Sequence, residues 1–154
     1  MWRRVVVHAT IDQPVERVFA FLADPASWPQ FVPAVVVRRP IGSGPMQVGR
    51  TWEATDRIGP FKIHFIDELA EIEPDHRVVW LSSSPWNSRV EYVCTAQDRT
   101  TRIRATYEGD IAGCLRLIAW LPGPLVAWIL AKDFKRLGAL LAARATGRGD
   151  AAFP

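Results

Sequence analysis

The stretch from Pro124 to Ala145 reads as one long helix, and it limits the fold more than any other part of the chain. Gly123 and Pro124 suit its entry, because a proline at the first helical position gives up an N–H that has no partner there. Arg144 and Gly147 suit its exit. At 100° per residue Val126, Leu130, Phe134, Leu137 and Leu141 fall in one stripe, with Lys132, Lys135, Ala139 and Ala142 opposite. Burying that stripe is worth on the order of 10 kcal/mol, so another layer must cover it. Before Lys132 the apolar surface spreads round the helix through Leu125, Trp128 and Ile129, and the first half is expected to be enclosed on several sides.

The rest of the chain supplies the cover. Val5, Val7, Ala9 and Ile11 alternate with Val6, His8 and Thr10, which predicts a first strand within Met1 to Asp12 with odd positions inward. Asp12-Gln13-Pro14 opens a short helix with Val18, Phe21 and Leu22 on one face. Asp24 as cap and Pro25 at the first position open a second, which runs through Trp28 and stops at Pro29 or Pro33. Strands follow at Val35–Arg39, Arg50–Arg57, Phe61–Ile72, Arg77–Ser82, Trp86–Ala96 and Thr101–Ile111, with a Gly/Pro/Ser loop from Pro40 to Gly49. A turn at Asp98-Arg99 places Val90 opposite Tyr107, Tyr92 opposite Ala105 and Cys94 opposite Ile103, with Arg89 facing Glu108 on the other side as an opposite-charge pair.

This pattern predicts an α+β fold: a curved antiparallel sheet of about six or seven strands wrapped round a long C-terminal helix, with two short helices after the first strand. Residues 1–146 form a single domain and 147–154 a flexible tail. A bent sheet closed by one helix leaves a gap, and an apolar, aromatic gap is a binding site for a small molecule.

Composition narrows the function. With 49% apolar and 23% charged residues the chain is globular. The longest uncharged run, Leu117 to Ala131, is broken by Pro122-Gly123-Pro124 and is shorter than the roughly 20 residues that cross a bilayer. No signal-peptide run follows Met1-Trp2-Arg3-Arg4, so a cytoplasmic protein is expected. A net charge of +3 is spread among 16 carboxylates, so nucleic acid is not an expected partner. Arg102, Arg104 and Arg89 read as part of a solvated convex face that also carries Glu91 and Glu108. Cys94 and Cys114 read as buried small hydrophobes. His8, His64 and His76 lie on separate elements, so neither a metal site nor a cofactor is expected. Gly42-Ser43-Gly44 matches neither a nucleophile elbow nor a dinucleotide fingerprint and reads as a loop.

Several stretches resemble one superfamily. Ile11-Asp12-Gln13-Pro14-Val15-Glu16-Arg17-Val18-Phe19, Leu22-Ala23-Asp24-Pro25, Trp28, Pro33, Leu69-Ala70-Glu71-Ile72-Glu73-Pro74, Arg77-Val78-Val79-Trp80 and the closing helix are similar to the START-like helix-grip (SRPBCC) superfamily. Within it they resemble the bacterial polyketide cyclase/dehydrase and lipid-transport branch. The shared residues are structural and carry no catalytic signature of a branch. The resemblance implies a hydrophobic ligand such as a lipid or polyketide, with cyclase or dehydratase activity in some members.

The candidate cavity wall is Trp52, Phe61, Ile63, Phe65, Trp80, Val90, Tyr92, Tyr107, Val126, Leu130 and Phe134, each of which would otherwise fill the core. A buried tyrosine hydroxyl needs a partner, and a ligand carbonyl would serve. Asp133, about 60° from the stripe's centre, is a weak catalytic candidate as a desolvated acid or base, against a rim carboxylate paired with Arg136. Asp67 shares parity with Ile63 and Phe65 and is a second weak candidate, against simple solvation near a strand end; Glu68 points the other way. Three readings follow: carriage or sensing of a small hydrophobic molecule, a polyketide cyclase/dehydratase, or a peripheral membrane or protein-interaction module using Leu117 to Trp128. A monomer or homodimer suits each.

Overall fold

Alternating strands and a one-sided terminal helix assemble as their patterns require. The computed structural model describes residues 3–151, with side chains from 3 to 113 and from 116 to 146. In order come β1 (Arg3–Ile11), α1 (Val15–Leu22), a 3-10 helix (Pro25–Gln30), β2 (Val35–Pro40), β3 (Thr51–Ile58), β4 (Phe61–Glu73), β5 (Arg77–Ser82), β6 (Ser88–Gln97), β7 (Thr100–Gly109), a second 3-10 helix (Gly113–Trp120) and α2 (Gly123–Ala151). The seven strands form one antiparallel sheet in the order β1-β7-β6-β5-β4-β3-β2.

The β6–β7 register pairs Val90 with Tyr107, Tyr92 with Ala105, Cys94 with Ile103 and Arg89 with Glu108, as the turn at Asp98-Arg99 predicts. The expected ion pair across that last position does not form. Arg89 binds Glu91 at 3.2 Å and Glu108 meets Arg4 at 3.5 Å. Two register shifts bend the sheet, one between Val35 and Val37 and one between Leu69 and Glu71. A bulge adds a residue to one strand, which curves it and reverses the inside–outside parity beyond it.

α1 buries Val18, Phe19 and Leu22, so Phe19 takes the place foreseen for Phe21, which instead packs edge-on against Phe31 at 6.4 Å. Asp24 Oδ1 accepts from the Ala26 N–H at 3.1 Å and caps the segment that follows. That segment is a 3-10 turn and carries Pro29 inside it. The second 3-10 helix is absent from the sequence reading, because its residues lack a one-sided pattern. Arg3 ties it to β1, donating from Nη1 to the Ala119 carbonyl at 2.8 Å and from Nη2 to that of Leu121.

α2 begins as foreseen, with the Leu125 and Val126 N–H groups both bonded to the Pro122 carbonyl at 3.1 Å. It ends later, at Ala151, beyond the boundary drawn at residue 146. Glycine within a helix costs about 1 kcal/mol relative to alanine, and no proline follows to stop the run before that point. The rest of the expected tail, 152–154, lies outside the described residues, as does the Cys114 side chain. Leu137 and Leu141 are fully covered and Phe134 is 3% exposed, joining Ile11, Val18, Leu22, Leu69 and Val78 in the main core. The first half of α2 is not enclosed: Leu125, Trp128 and Ile129 are 40%, 55% and 45% exposed. The sheet covers a single face of this helix, and among the described residues no further layer lies behind it.

No helix among the described residues is long and apolar enough to cross a membrane. The one-sided packing yields a contrast testable by urea unfolding. Leu137→Ala should cost about 2–5 kcal/mol through the cavity it leaves, and Leu125→Ala less than about 0.5 kcal/mol. Equal losses would contradict the packing described.

Candidate functional site

A cavity of about 320 Å³ lies between the concave face of the sheet and the first half of α2. That is at the low end of the ~300–1,000 Å³ typical of small-molecule sites. Its wall includes Phe65, Trp80, Val90, Tyr92, Tyr107, Val126, Leu130 and Phe134 from the predicted set, with Asp67 and Asp133 as polar members. Three side chains expected in the wall lie off it. Trp52 is buried behind Trp80, edge-to-face at 5.2 Å. Ile63 is buried in a small cluster with Ala54 and Phe65, behind the wall that Phe65 forms. Phe61 is 66% exposed, because it sits opposite Ile58 where the β3–β4 hairpin turns at Gly59-Pro60, clear of α2.

Trp28, Phe31, Trp86 and Ile118 add to the aromatic and aliphatic lining. Trp28 stands edge-on to Trp80 at 5.1 Å, so Trp28, Trp80 and Trp52 form a row of edge-to-face indoles. Trp80 is 2% exposed, and its Nε1 has no hydrogen-bond partner among the described residues. A buried, unused donor is costly, on the order of 1–3 kcal/mol, unless something else accepts from it.

The residue that sequence reasoning missed is Arg38. Strict alternation from Val35 would turn it outward. The bulge before Val37 reverses the parity, so Val35 opposite Asp56 and Arg38 opposite Ala54 both face in. Its side chain is 4% exposed, with Nη1 2.9 Å from Asp56 Oδ1 and Nε 2.7 Å from Asp67 Oδ2. Nη1 also donates to the Val37 carbonyl at 2.9 Å. The guanidinium lies 5.4 Å from the Trp28 ring centre and 5.1 Å from that of Phe65. Asp67 is therefore no solvated strand-end carboxylate: it is 2% exposed and accepts from Ser82 Oγ at 2.6 Å. Desolvation raises both Asp56 and Asp67 above the ordinary carboxylate range, outweighing the attraction of the single guanidinium.

A second polar group stands under α2. Tyr92 and Tyr107 meet edge-to-face at 6.3 Å and their hydroxyls are hydrogen-bonded to each other. Burial lifts Tyr92 to about 12 and Tyr107 well above its usual value. Phe134 packs on Tyr92 at 6.1 Å. Asp133 is both paired with Arg136, as one sequence alternative had it, and partly desolvated. Its side chain is 15% exposed, Arg136 Nη1 donates to its Oδ1 at 3.0 Å, and desolvation outweighs that partner to lift its pKa to about 6. Cys94 is buried in the core with its thiol pushed up to about 12 by desolvation. Among the described residues no group of three or more His, Cys, Asp or Glu side chains could hold a metal ion.

The arrangement can hold an apolar body against aromatic rings and offer it tyrosine O–H groups in a water-poor setting. The Arg38 cluster predicts a charge-specific penalty. Arg38→Met keeps most of the side-chain bulk but strands two buried carboxylates, which should cost about 3–5 kcal/mol in urea unfolding at neutral pH. The loss should shrink at acidic pH, where the carboxylates take up protons, and adding Asp56→Asn and Asp67→Asn should recover most of it. A pH-independent loss would mean that packing is responsible.

A search of the curated proteins finds no match. The fold recurs among solved structures. TTHA0849 from Thermus thermophilus is similar, with TM-score 0.73 and 17% identity over 92% of this chain and 99% of that one. Zhui aromatase/cyclase from Streptomyces sp. R1128 superposes with TM-score 0.68 and 13% identity, covering 99% of each chain. Ara h 8.0201 gives TM-score 0.68 and 14% identity over 93% of this chain and 99% of that one. At such identities these matches establish the helix-grip fold alone. The model of the polyketide cyclase / dehydrase and lipid transport family matches residues 3–146, nearly the whole chain, and the protein belongs to that family.

Proposed function

We propose that the cavity carries or senses one small, mainly apolar molecule that bears at least one hydrogen-bond acceptor. The observation behind this reading is an aromatic chamber of about 320 Å³ in whose otherwise largely apolar wall Tyr92 and Tyr107 stand together under α2. Apolar burial supplies most of the affinity, and the tyrosine pair fixes the orientation. A carbonyl compound of lipid or polyketide type meets these terms, in line with the family's description. The Arg38 guanidinium is already neutralised by two carboxylates, so it does not call for an anionic guest.

A second reading draws on one specific observation: Asp133, with a pKa of about 6, shares the cavity wall with the hydrogen-bonded Tyr92–Tyr107 pair. A carboxylate tuned near neutrality can take a proton from a carbon beside a carbonyl, and a phenol can hydrogen-bond the enolate oxygen that forms. That is the acid–base step a cyclase or dehydratase needs.

Two experiments test these readings. An uncharged polycyclic ketone such as anthrone should bind with one-to-one stoichiometry by fluorescence titration, and Leu130→Trp, by filling the chamber, should abolish binding. Unchanged affinity in that variant would remove the proposed site. For Asp133, the folded-state pKa of about 6 lies above the ordinary 3.8, so between those values the folded protein holds more protons and loses stability as pH rises. Asp133→Asn should therefore be more stable than the parent above about pH 6, with the gap closing toward pH 4. An Asp133→Asn variant that is less stable than the parent at neutral pH, with the deficit shrinking on acidification, would place Asp133 in a stabilising ion pair instead and remove the basis for the second reading.

A further inference from the structure

The strongest feature outside the cavity is a shoulder of apolar side chains left open to water beside it. In the second 3-10 helix Leu117 and Trp120 are 78% and 80% exposed, and Leu121 just after it is 36% exposed. On α2, Leu125, Trp128 and Ile129 recur at helical spacing and are 40%, 55% and 45% exposed. These six lie on the two consecutive segments that also place Ile118 and Val126 in the cavity wall. Exposed apolar side chains concentrated in this way mark an interaction site.

Charge identifies the occupant. Between Asp110 and Asp133 the chain carries Arg116 and Lys132 and no carboxylate. Lys132 Nζ lies 3.6 Å from the Trp128 ring centre, at the edge of the face, and Arg116 is exposed. Lys135 and Arg136 continue the basic character along α2. A two-fold contact between copies would bring like charges together with no acid in the segment to neutralise them. An anionic lipid surface neutralises them, and the two exposed indoles suit the boundary between headgroups and acyl chains.

We propose that this shoulder docks the protein on anionic phospholipid membranes, with Leu117, Trp120, Leu125, Trp128 and Ile129 reaching into the interface and Arg116 and Lys132 meeting the headgroups. Docking there sets the two segments that wall the cavity through Ile118 and Val126 against the bilayer, which brings an apolar guest near to lipid. The docking itself rests on the surface and stands apart from the identity of the guest.

Flotation of the full chain with phosphatidylcholine vesicles, and with vesicles of equal parts phosphatidylcholine and phosphatidylglycerol, tests it. The protein should float with the anionic vesicles, less with the zwitterionic ones, and less again at high salt. Trp120→Ser combined with Trp128→Ser should lower the partition coefficient by at least about tenfold, while circular dichroism and anthrone binding stay unchanged. Arg116→Glu with Lys132→Glu should remove the salt-sensitive part. The proposal is overturned if the protein remains in the soluble fraction with anionic vesicles, if the double serine variant floats as well as the parent, or if light scattering reveals a dimer that the same variant dissociates. Loss of anthrone binding in the parent with flotation intact would count against the cavity reading alone.

Discussion

An arginine turned inward by a single extra residue is the constraint on which one whole end of this molecule depends. Arg38 could not stay 4% exposed without partners, since burying an unpaired guanidinium costs several kcal/mol. Asp56 comes from β3, Asp67 from β4 and the orienting Ser82 from β5, so the bulge in β2 obliges three neighbouring strands to supply polar atoms to one point. Trp28 and Phe65 cover the guanidinium and join it to the aromatic wall. With one positive charge against two acids, both carboxylates raised by desolvation, the cluster resists gaining further negative charge. The sheet is thus pinned around a polar knot, and the chamber beside it stays apolar.

The void beside that knot follows from curvature and from what α2 can reach. Bulges in β2 and β4 bend the sheet away from the helix, while Arg3 draws the second 3-10 helix down onto the start of β1. α2 packs on β1 through its later turns, where Phe134, Leu137 and Leu141 disappear into the core. Its earlier turns stand off, and the space they leave is spanned by large rings that touch only edge-on. Edge-to-face pairs hold centroids 5–6 Å apart and resist collapse into a flat stack, which keeps such a space from closing.

The parts legible from sequence are those governed by strict periodicity. Parity along Phe61, Ile63, Phe65 and Asp67, the β6–β7 register and the stripe from Val126 to Leu141 each repeat long enough for a single period to set the face. What escaped were local departures from period. One inserted residue flips Arg38 from solvent to core, and nothing in Val35-Val36-Val37-Arg38 marks where the insertion falls. Phe61 has the right parity and lies too far along its strand to reach the cavity; parity says which face, and only the curved sheet says how far that face is covered. The same gap in information misjudged Leu125, Trp128 and Ile129, since an apolar residue states a preference for burial without showing that a layer exists to provide it.

That last discrepancy bears on what the fold is for. Covering one large aliphatic or aromatic side chain contributes about 1.5–3 kcal/mol, so a chain that leaves Leu117, Trp120, Trp128 and Ile129 in water forgoes stabilisation comparable to the net stability of a small domain. The buried knot and the later turns of α2 already hold the fold, and further closure at this end would seal the chamber with Ile118 and Val126 inside it. An exposed apolar shoulder flanked by Arg116 and Lys132 is what remains when that closure is forgone. On this argument the rigid end, built around Arg38 and the indole row, selects what is held, and the open end decides where it is picked up.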